Sequence, residues 1–274
     1  MTIMCWKCRG LGNPAIVREL RRMISEKDSM LVFVSETKLR KNKTEAIRLA
    51  TKMFGFFSVE RLEHCVGLMM LWKEGLDVSL QSFSNLHIDV EVFWKEKKFR
   101  FTGFYGRCGW SDKKHNWEMI SRLASTSSLP WCLGGDFNEI IHADEKRGGR
   151  KSVRVHMEEF QRCIRDADVW DIRPRSRWFS WASGTRAKTF VRERIDRYVA
   201  KIDWRLLFPE CFVDTVPMAS SDDLTILLSL EGATTISSPR RDYFKFDACW
   251  ANEDQCRDIC IGFGRTTKIL SLSK

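Results

Sequence analysis

Five apolar residues in a row, Met30-Leu31-Val32-Phe33-Val34, constrain this chain more than any other feature. A strand with one wet face alternates polar and apolar side chains, so an unbroken run needs cover on both faces. The run stops at Ser35-Glu36-Thr37-Lys38. Trp131-Cys132-Leu133 is a second short buried strand, and it runs into Gly134-Gly135-Asp136-Phe137-Asn138. A chain of 274 residues has room for such layers, since it can bury roughly three quarters of its surface. With 43% hydrophobic residues, 16 Gly and 6 Pro, it is neither collagen-like nor low-complexity.

Helical and strand patterns alternate around these two runs. Met1 to Cys5 reads as a first strand. Gly10-Leu11-Gly12-Asn13-Pro14 then turns into a helix, with Asn13 as cap and Pro14 at the first helical position. Ile16, Val17, Leu20, Met23 and Ile24 form one stripe at helical spacing. A second helix is predicted over 43–53. Val66 to Trp72, Leu76 to Phe83, Ile88 to Trp94 and Phe99 to Phe104 read as an antiparallel meander. Asp112 to Ala124 and Val155 to Val169 are amphipathic helices. Further strands are predicted at Arg177 to Trp181, Phe190 to Ala200, Cys211 to Val216 and Thr225 to Leu230. The pattern is that of an α/β protein with two packed sheets covered by helices. A boundary is expected near residue 235, where Ser237-Ser238-Pro239-Arg240-Arg241 reads as a linker.

The net charge of +10 is concentrated. Between Lys146 and Arg194 there are 14 Lys or Arg against 6 Asp or Glu, interleaved with Trp170, Trp178, Phe179, Trp181 and Phe190. Basic charge with flat side chains suits a phosphate backbone and stacked bases, or else forms a solvated face beside core aromatics. The ten cysteines lack a complete zinc pattern, and structural thiols in a reducing compartment are expected. No apolar run reaches the ~20 residues of a membrane span, so the expectation is a soluble protein without a membrane partner. His64, His87, His115, His142 and His156 are expected at the surface or at caps.

Three acids share a setting. Glu36 and Asp136 each close an apolar strand, and Asp222 opens Thr225 to Leu230. Carboxylates gathered at one sheet rim repel one another unless a cation binds there, and hard oxygen ligands suit Mg²⁺.

Cys5-Trp6-Lys7-Cys8-Arg9-Gly10-Leu11-Gly12-Asn13-Pro14, Ser35-Glu36-Thr37-Lys38, Gly103-Phe104-Tyr105-Gly106, Gly135-Asp136-Phe137-Asn138-Glu139, Glu193-Arg194-Ile195-Asp196-Arg197 and Ser220-Ser221-Asp222-Asp223 occur in that order. Together they resemble the endonuclease domain of plant LINE-type non-LTR retrotransposon polyproteins, within the endonuclease/exonuclease/phosphatase (exonuclease III/AP-endonuclease-like) superfamily. The resemblance implies a four-layer αββα sandwich over 1–235. It makes 236–274 part of the segment leading to a reverse transcriptase, with Tyr243-Phe244-Lys245-Phe246 and Trp250 as its matching residues. It implies DNA as partner, a nuclear location, and no small-molecule cofactor. It also implies Mg²⁺ (or Mn²⁺) held by Glu36 and Asp222. Asp136 and Asn138 would orient the attacking water and the phosphate, Tyr105 would donate to the phosphate, and Asp196 would hold a histidine. Arg9, Lys146, Arg147, Arg150, Lys151, Arg177 and Trp181 are the expected nucleic-acid contacts.

Two positions depart from that pattern. Lys7 stands where the family has Asn, and Asp223 stands where it has His. An amide that accepts and donates becomes an obligate cation, and a phosphate-binding imidazole becomes an acceptor. Two like charges ~4 Å apart cost about 4 kcal/mol at an effective dielectric of 20, so Asp223 is expected to repel the substrate. Losing one charge-stabilising donor costs about 10²–10³ in rate. The expectation is a metal-dependent DNA-nicking endonuclease with impaired catalysis. The alternatives are a catalytically inactive nucleic-acid-binding domain or a non-functional retrotransposon relic, while a compensated site would have Lys7 pairing with Asp223 or sitting near the metal position.

Overall fold

The computed structural model describes residues 1–60, 67–109, 112–150, 152–184, 189–218 and 224–232. Two six-stranded sheets face each other. The first runs β14 (Phe212–Pro217), β15 (Leu224–Ser229), β1 (Thr2–Lys7), β2 (Ser29–Ser35), β4 (Leu68–Trp72), β3 (Gly55–Val59). The second runs β10 (Trp170–Ile172), β13 (Asp196–Ala200), β8 (Trp131–Asp136), β7 (Lys97–Tyr105), β6 (His87–Trp94), β5 (Asp77–Phe83). A small third sheet pairs β11 (Trp181–Ser183), β12 (Val191–Glu193) and β9 (Lys146–Arg147).

Period-two alternation explains the apolar runs. Ile3, Cys5, Leu31 and Phe33 point between the sheets, where they meet Val90, Phe101 and Tyr198. Met4, Trp6, Val32 and Val34 point outward onto Leu20, Met23 and Ile24 of α1 (Pro14–Glu26) and Ile47 of α2 (Thr44–Thr51). On the other side Phe104, Leu133 and Val199 meet Trp117 and Ile120 of α3 (Lys113–Ala124) and Phe160 of α4 (Arg154–Asp166). The result is the expected αββα order of layers. Each fully buried Phe or Leu contributes about 1.5–3 kcal/mol to holding them together. The start of α1 is as predicted: the Asn13 side chain accepts from the Ala15 N–H at 2.9 Å, with Pro14 following.

Each sheet contains one parallel pair, β1 with β2 and β7 with β8; every other pairing between these strands is antiparallel. Parallel neighbours cannot be joined by a hairpin, so α1 and α3 serve as the crossovers. Lys7 and Tyr105 end β1 and β7, Asp136 ends β8, and Glu36 follows β2. Both crossover units thus deliver their carboxyl-terminal strand ends to one rim.

Three sequence expectations need correction. Residues 68–72 do not belong to the meander: β4 lies between β2 and β3 in the first sheet, and only β5, β6 and β7 form consecutive antiparallel neighbours in the second. Its Leu-Met-Met-Leu core is buried on both faces, as a central strand requires, whereas β5 is a largely exposed edge. Phe190 to Ala200 is not one strand. It breaks at Arg194-Ile195, whose N–H groups donate to the Glu145 carbonyl and the Ser180 hydroxyl. Of Arg177 to Trp181, only Trp181 is in a strand. The half-buried edge strand β3, the three-residue β10 and the short helix α5 (Ile202–Leu207) carried no clear sequence signal.

The boundary near 235 lies outside the described residues. Among the described residues no helix is long and apolar enough to cross a membrane. Cys5, Cys8, Cys132, Cys163 and Cys211 are buried thiols, and Cys108 is exposed.

Candidate active site

The rim is built around an ammonium group. Lys7 Nζ donates to Asp136 Oδ2 at 3.0 Å and lies 3.7 Å from Glu36 Oε1. The Tyr105 hydroxyl donates to the same Glu36 Oε1 at 2.8 Å. Burial, and then the charges of Glu36 and Asp136, push the Tyr105 phenol far above its ordinary pKa, so it remains a donor. Lys7 and Glu36 are half-buried, and Asp136 is buried.

The loop after β8 fixes the other groups. Asp136 Oδ1 accepts the Asn138 N–H at 2.8 Å, and Asn138 Nδ2 donates to the Gly106 carbonyl at 2.6 Å. Gly106 in turn donates its N–H to the Asp136 carbonyl at 2.7 Å. A Cβ on Gly106 would stand 2.6 Å from the Phe137 carbonyl oxygen, so glycine is required there. Asp196 begins β13 directly opposite Asp136 and is buried. Its N–H donates to Ser180 Oγ at 2.9 Å.

Three residues at this rim adopt left-handed backbone: Arg9 (φ 53°), Glu36 (φ 55°) and Asn138 (φ 49°). Asn tolerates that region, but Arg and Glu pay roughly 1–2 kcal/mol each. Neighbouring backbone bonds hold the Glu36 turn, from the Thr37 N–H to the Gly67 carbonyl and from the Leu11 N–H to the Thr37 carbonyl. Left-handed backbone also occurs at turns away from the rim, at Asp28, Lys52, Lys95, Glu96 and Asp168, so it accompanies the site without marking it.

Of the sequence-predicted residues, Lys7, Glu36, Tyr105, Asp136, Asn138 and Asp196 meet here, and Arg9 stands exposed beside them at the end of β1. Asp222, Asp223 and Lys151 lie outside the described residues. Of the three acids expected at this rim, Glu36 and Asp136 are brought together, bridged by Lys7. His87 and His156 are buried rather than superficial. The His87 ring nitrogens lie 3.0 and 2.8 Å from the hydroxyls of Ser82 and Ser84, which satisfy the ring inside the fold.

The basic stretch divides into a buried part and an exposed part. Arg194 is buried on Glu145 and Asp171, and Lys146 pairs with Glu193 at 2.5 Å, so these two cations serve the fold. Arg147, Arg150 and Arg177 are exposed. Arg177, Trp178, Phe179, Trp181 and Arg192 line an open groove of about 440 Å³. Arg147 and Arg192 both stand over the Phe179 ring, at 5.7 and 5.2 Å. The groove adjoins the rim through Ser180, whose hydroxyl takes the Asp196 N–H and whose carbonyl takes the Leu224 N–H. Sequence reasoning missed Gly106, Ser180 and Arg192 as site residues. Only the pairing of β11 with β12 brings Arg192 opposite Ala182.

The rim carboxylates set what a divalent ion would meet here. Mg²⁺ requires oxygen ligands at about 2.0–2.1 Å in near-octahedral array. Among the described residues no group of three or more His, Cys, Asp or Glu side chains is placed to hold a metal. The two rim carboxylates instead share the Lys7 ammonium. With the Lys7 ammonium on both carboxylates, Glu36 and Asp136 as arranged do not fit a divalent ion; Asp222, the other expected ligand, lies outside the described residues.

A model of the Endonuclease/Exonuclease/phosphatase family matches residues 1–223. No curated protein matches the chain significantly. Solved structures with the same fold include the endonuclease domain of TRAS1, a telomere-specific non-LTR retrotransposon, at 10% identity and TM-score 0.59, covering 83% of this chain and 96% of that one. The AP endonuclease LMAP from Leishmania major superposes at 14% identity and TM-score 0.63, covering 83% of this chain and 86% of that one. The 3′ phosphatase NExo from Neisseria, bound to a product DNA hairpin, does so at 14% identity and TM-score 0.61, covering 84% and 98%. At such identities the likeness establishes the architecture alone.

Proposed function

The chain belongs to the endonuclease/exonuclease/phosphatase family, and from that premise we propose that it is a retrotransposon-derived DNA endonuclease domain whose strand nicking is impaired. The observation that carries this reading is the position of Lys7 Nζ, 3.0 Å from Asp136 and 3.7 Å from Glu36. Nucleases of the family generally use a divalent metal ion. Here a fixed monovalent cation stands between the carboxylates, and an ammonium does not supply the Lewis acidity a metal gives to a phosphodiester.

The water-orienting role of Asp136 suffers too. Both its oxygens already accept, one from Lys7 and one from the Asn138 N–H. A general base must reach the proton it removes, and a carboxylate clamped by an ammonium is a poorer acceptor for it. Asp223 in place of the family His adds an acid where a phosphate donor is expected. The kinship to plant LINE-type elements and a nuclear site of action go with this reading.

A second reading, a catalytically inactive nucleic-acid-binding domain, is favoured by the groove of Arg177, Trp178, Phe179, Trp181 and Arg192. Cations and aromatic faces together bind nucleic acid without chemistry.

Plasmid nicking in Mg²⁺ or Mn²⁺ tests the proposal. The native chain should nick at least about 10²-fold more slowly than the double variant Lys7→Asn, Asp223→His. Equally fast nicking by both proteins would defeat it.

A further inference from the structure

The disagreement between this rim and a metal centre has a consequence of its own, which rests on the reading of the rim as a nuclease-derived site. Glu36 and Asp136 are brought side by side by two separate crossover units, and each would repel the other across the rim. The Lys7 ammonium lies between them, and Tyr105 adds a hydroxyl donor on Glu36 at 2.8 Å. Lys7 ends a strand whose neighbouring residues Trp6 and Cys8 are buried, so the sheet sets its backbone, and the Asp136 and Glu36 carboxylates hold its ammonium.

We propose that Lys7 is the resident cation of this site, standing in for a divalent metal, so that the chain folds and binds nucleic acid without taking up a metal ion at this rim. Nucleic-acid contact then falls to the groove of Arg177, Phe179, Trp181 and Arg192, which needs no metal to bridge it. The assignment also explains how Glu36, an expected metal ligand, and Asp136 beside it can persist as carboxylates once the ion is gone. Their charge is met from within the chain. The tethered ammonium is already in place, so a metal would have to displace it to reach both carboxylates.

Isothermal titration of Mn²⁺ and Mg²⁺ into the full chain is the direct test. The native protein should show no uptake at sub-millimolar metal, and its thermal midpoint should be the same in EDTA and in Mg²⁺. Lys7→Asn should gain a metal site, and its midpoint should rise by roughly 3–5 °C at a tenfold excess of Mn²⁺ over the dissociation constant. Sub-millimolar Mn²⁺ binding by the native chain would overturn the assignment. That measurement needs no variant, so it decides the matter even if Lys7→Asn does not fold.

Anisotropy of a labelled DNA duplex, measured in EDTA and in Mg²⁺ at matched ionic strength, separates this from the underlying reading. Native affinity should agree within about twofold between the two buffers. A strong requirement for Mg²⁺ counts against Lys7 as resident cation. Failure to bind DNA in either buffer counts against the nuclease-derived reading instead.

Discussion

The Phe33 ring occupies the space that a side chain on Gly103 would fill: a Cβ there would stand 2.1 Å from the ring. Phe33 comes from β2, which leads to Glu36, and Gly103 from β7, which leads to Tyr105. This contact therefore brings the two sheets close together just behind the rim. Gly103→Ala is expected to destabilise the fold by about 1–3 kcal/mol through overpacking. Thermal unfolding of Gly103→Ala, and of Gly103→Ala with Phe33→Leu, measures it. The smaller ring-free partner should recover part of the loss; no recovery would mean that some other clash dominates.

Glu145 is the hub of a buried network. Arg194 Nη1 donates to its Oε1 at 2.7 Å and Arg197 Nη2 to its Oε2 at 2.9 Å. Both arginines flank Asp196 in sequence, so the network sets the start of β13. Burial alone would raise the Glu145 carboxyl. The charge and hydrogen bonds of Arg197, with help from Arg194 and the Ile141 N–H, hold it down at about 2. Its ordinary value is 4.5, so the unfolded chain protonates first as pH falls. The stabilisation is complete above pH 4.5 and is lost progressively towards pH 2. Glu145→Gln should lack that slope, and it should be less stable at pH 7 by about 3–5 kcal/mol because the buried Arg197 guanidinium loses its close carboxylate, while Arg194 keeps Asp171. Chemical denaturation at pH 7 and thermal scans from pH 5 to 2 measure the two effects. A wild-type slope retained in the variant would assign it to other acids.

His87 titrates in a different window. Burial first, then the charges of Arg122 and Arg100, lower its pKa from 6.5 to about 4. The folded chain holds a neutral ring while the unfolded chain is already protonated. Stability is therefore full above pH 6.5 and falls as pH drops towards 4, by about 3 kcal/mol for one proton over that span. His87→Gln keeps a polar group near Ser82 and Ser84 and should flatten the curve between pH 6.5 and 4. Parallel curves for the two proteins would locate the titration elsewhere.

The parts of the site that lie within single motifs were legible in the sequence. Glu36 and Asp136 stood out because each ends an apolar strand, and Asn13 and Pro14 because capping is local. What depended on pairing was not legible. Lys7 lies 129 residues from Asp136, and no spacing rule connects them. Val66 to Trp72 looked like one more strand of a meander because strand pattern carries burial but not the identity of the sheet. Trp181 was visible as an aromatic in a basic stretch, yet the groove exists only because Trp181 and Ala182 pair with Glu193 and Arg192.

That groove gives the last prediction. Arg177 and Arg192 are exposed, while Phe179 and Trp181 are half-buried and present their rings to the same space. If the arginines neutralise phosphates, each Arg→Ala change should weaken duplex binding and lower the slope of log K against log salt by about one. Aromatic truncation acts differently, because stacking carries no counterion release. Phe179→Ala or Trp181→Ala should weaken single-stranded DNA binding by roughly 5- to 150-fold, the equivalent of about 1–3 kcal/mol per stacked base, with the salt slope unchanged. Fluorescence anisotropy across a salt series distinguishes the two classes. An arginine pair whose removal leaves both affinity and slope intact would move the nucleic-acid surface away from this groove.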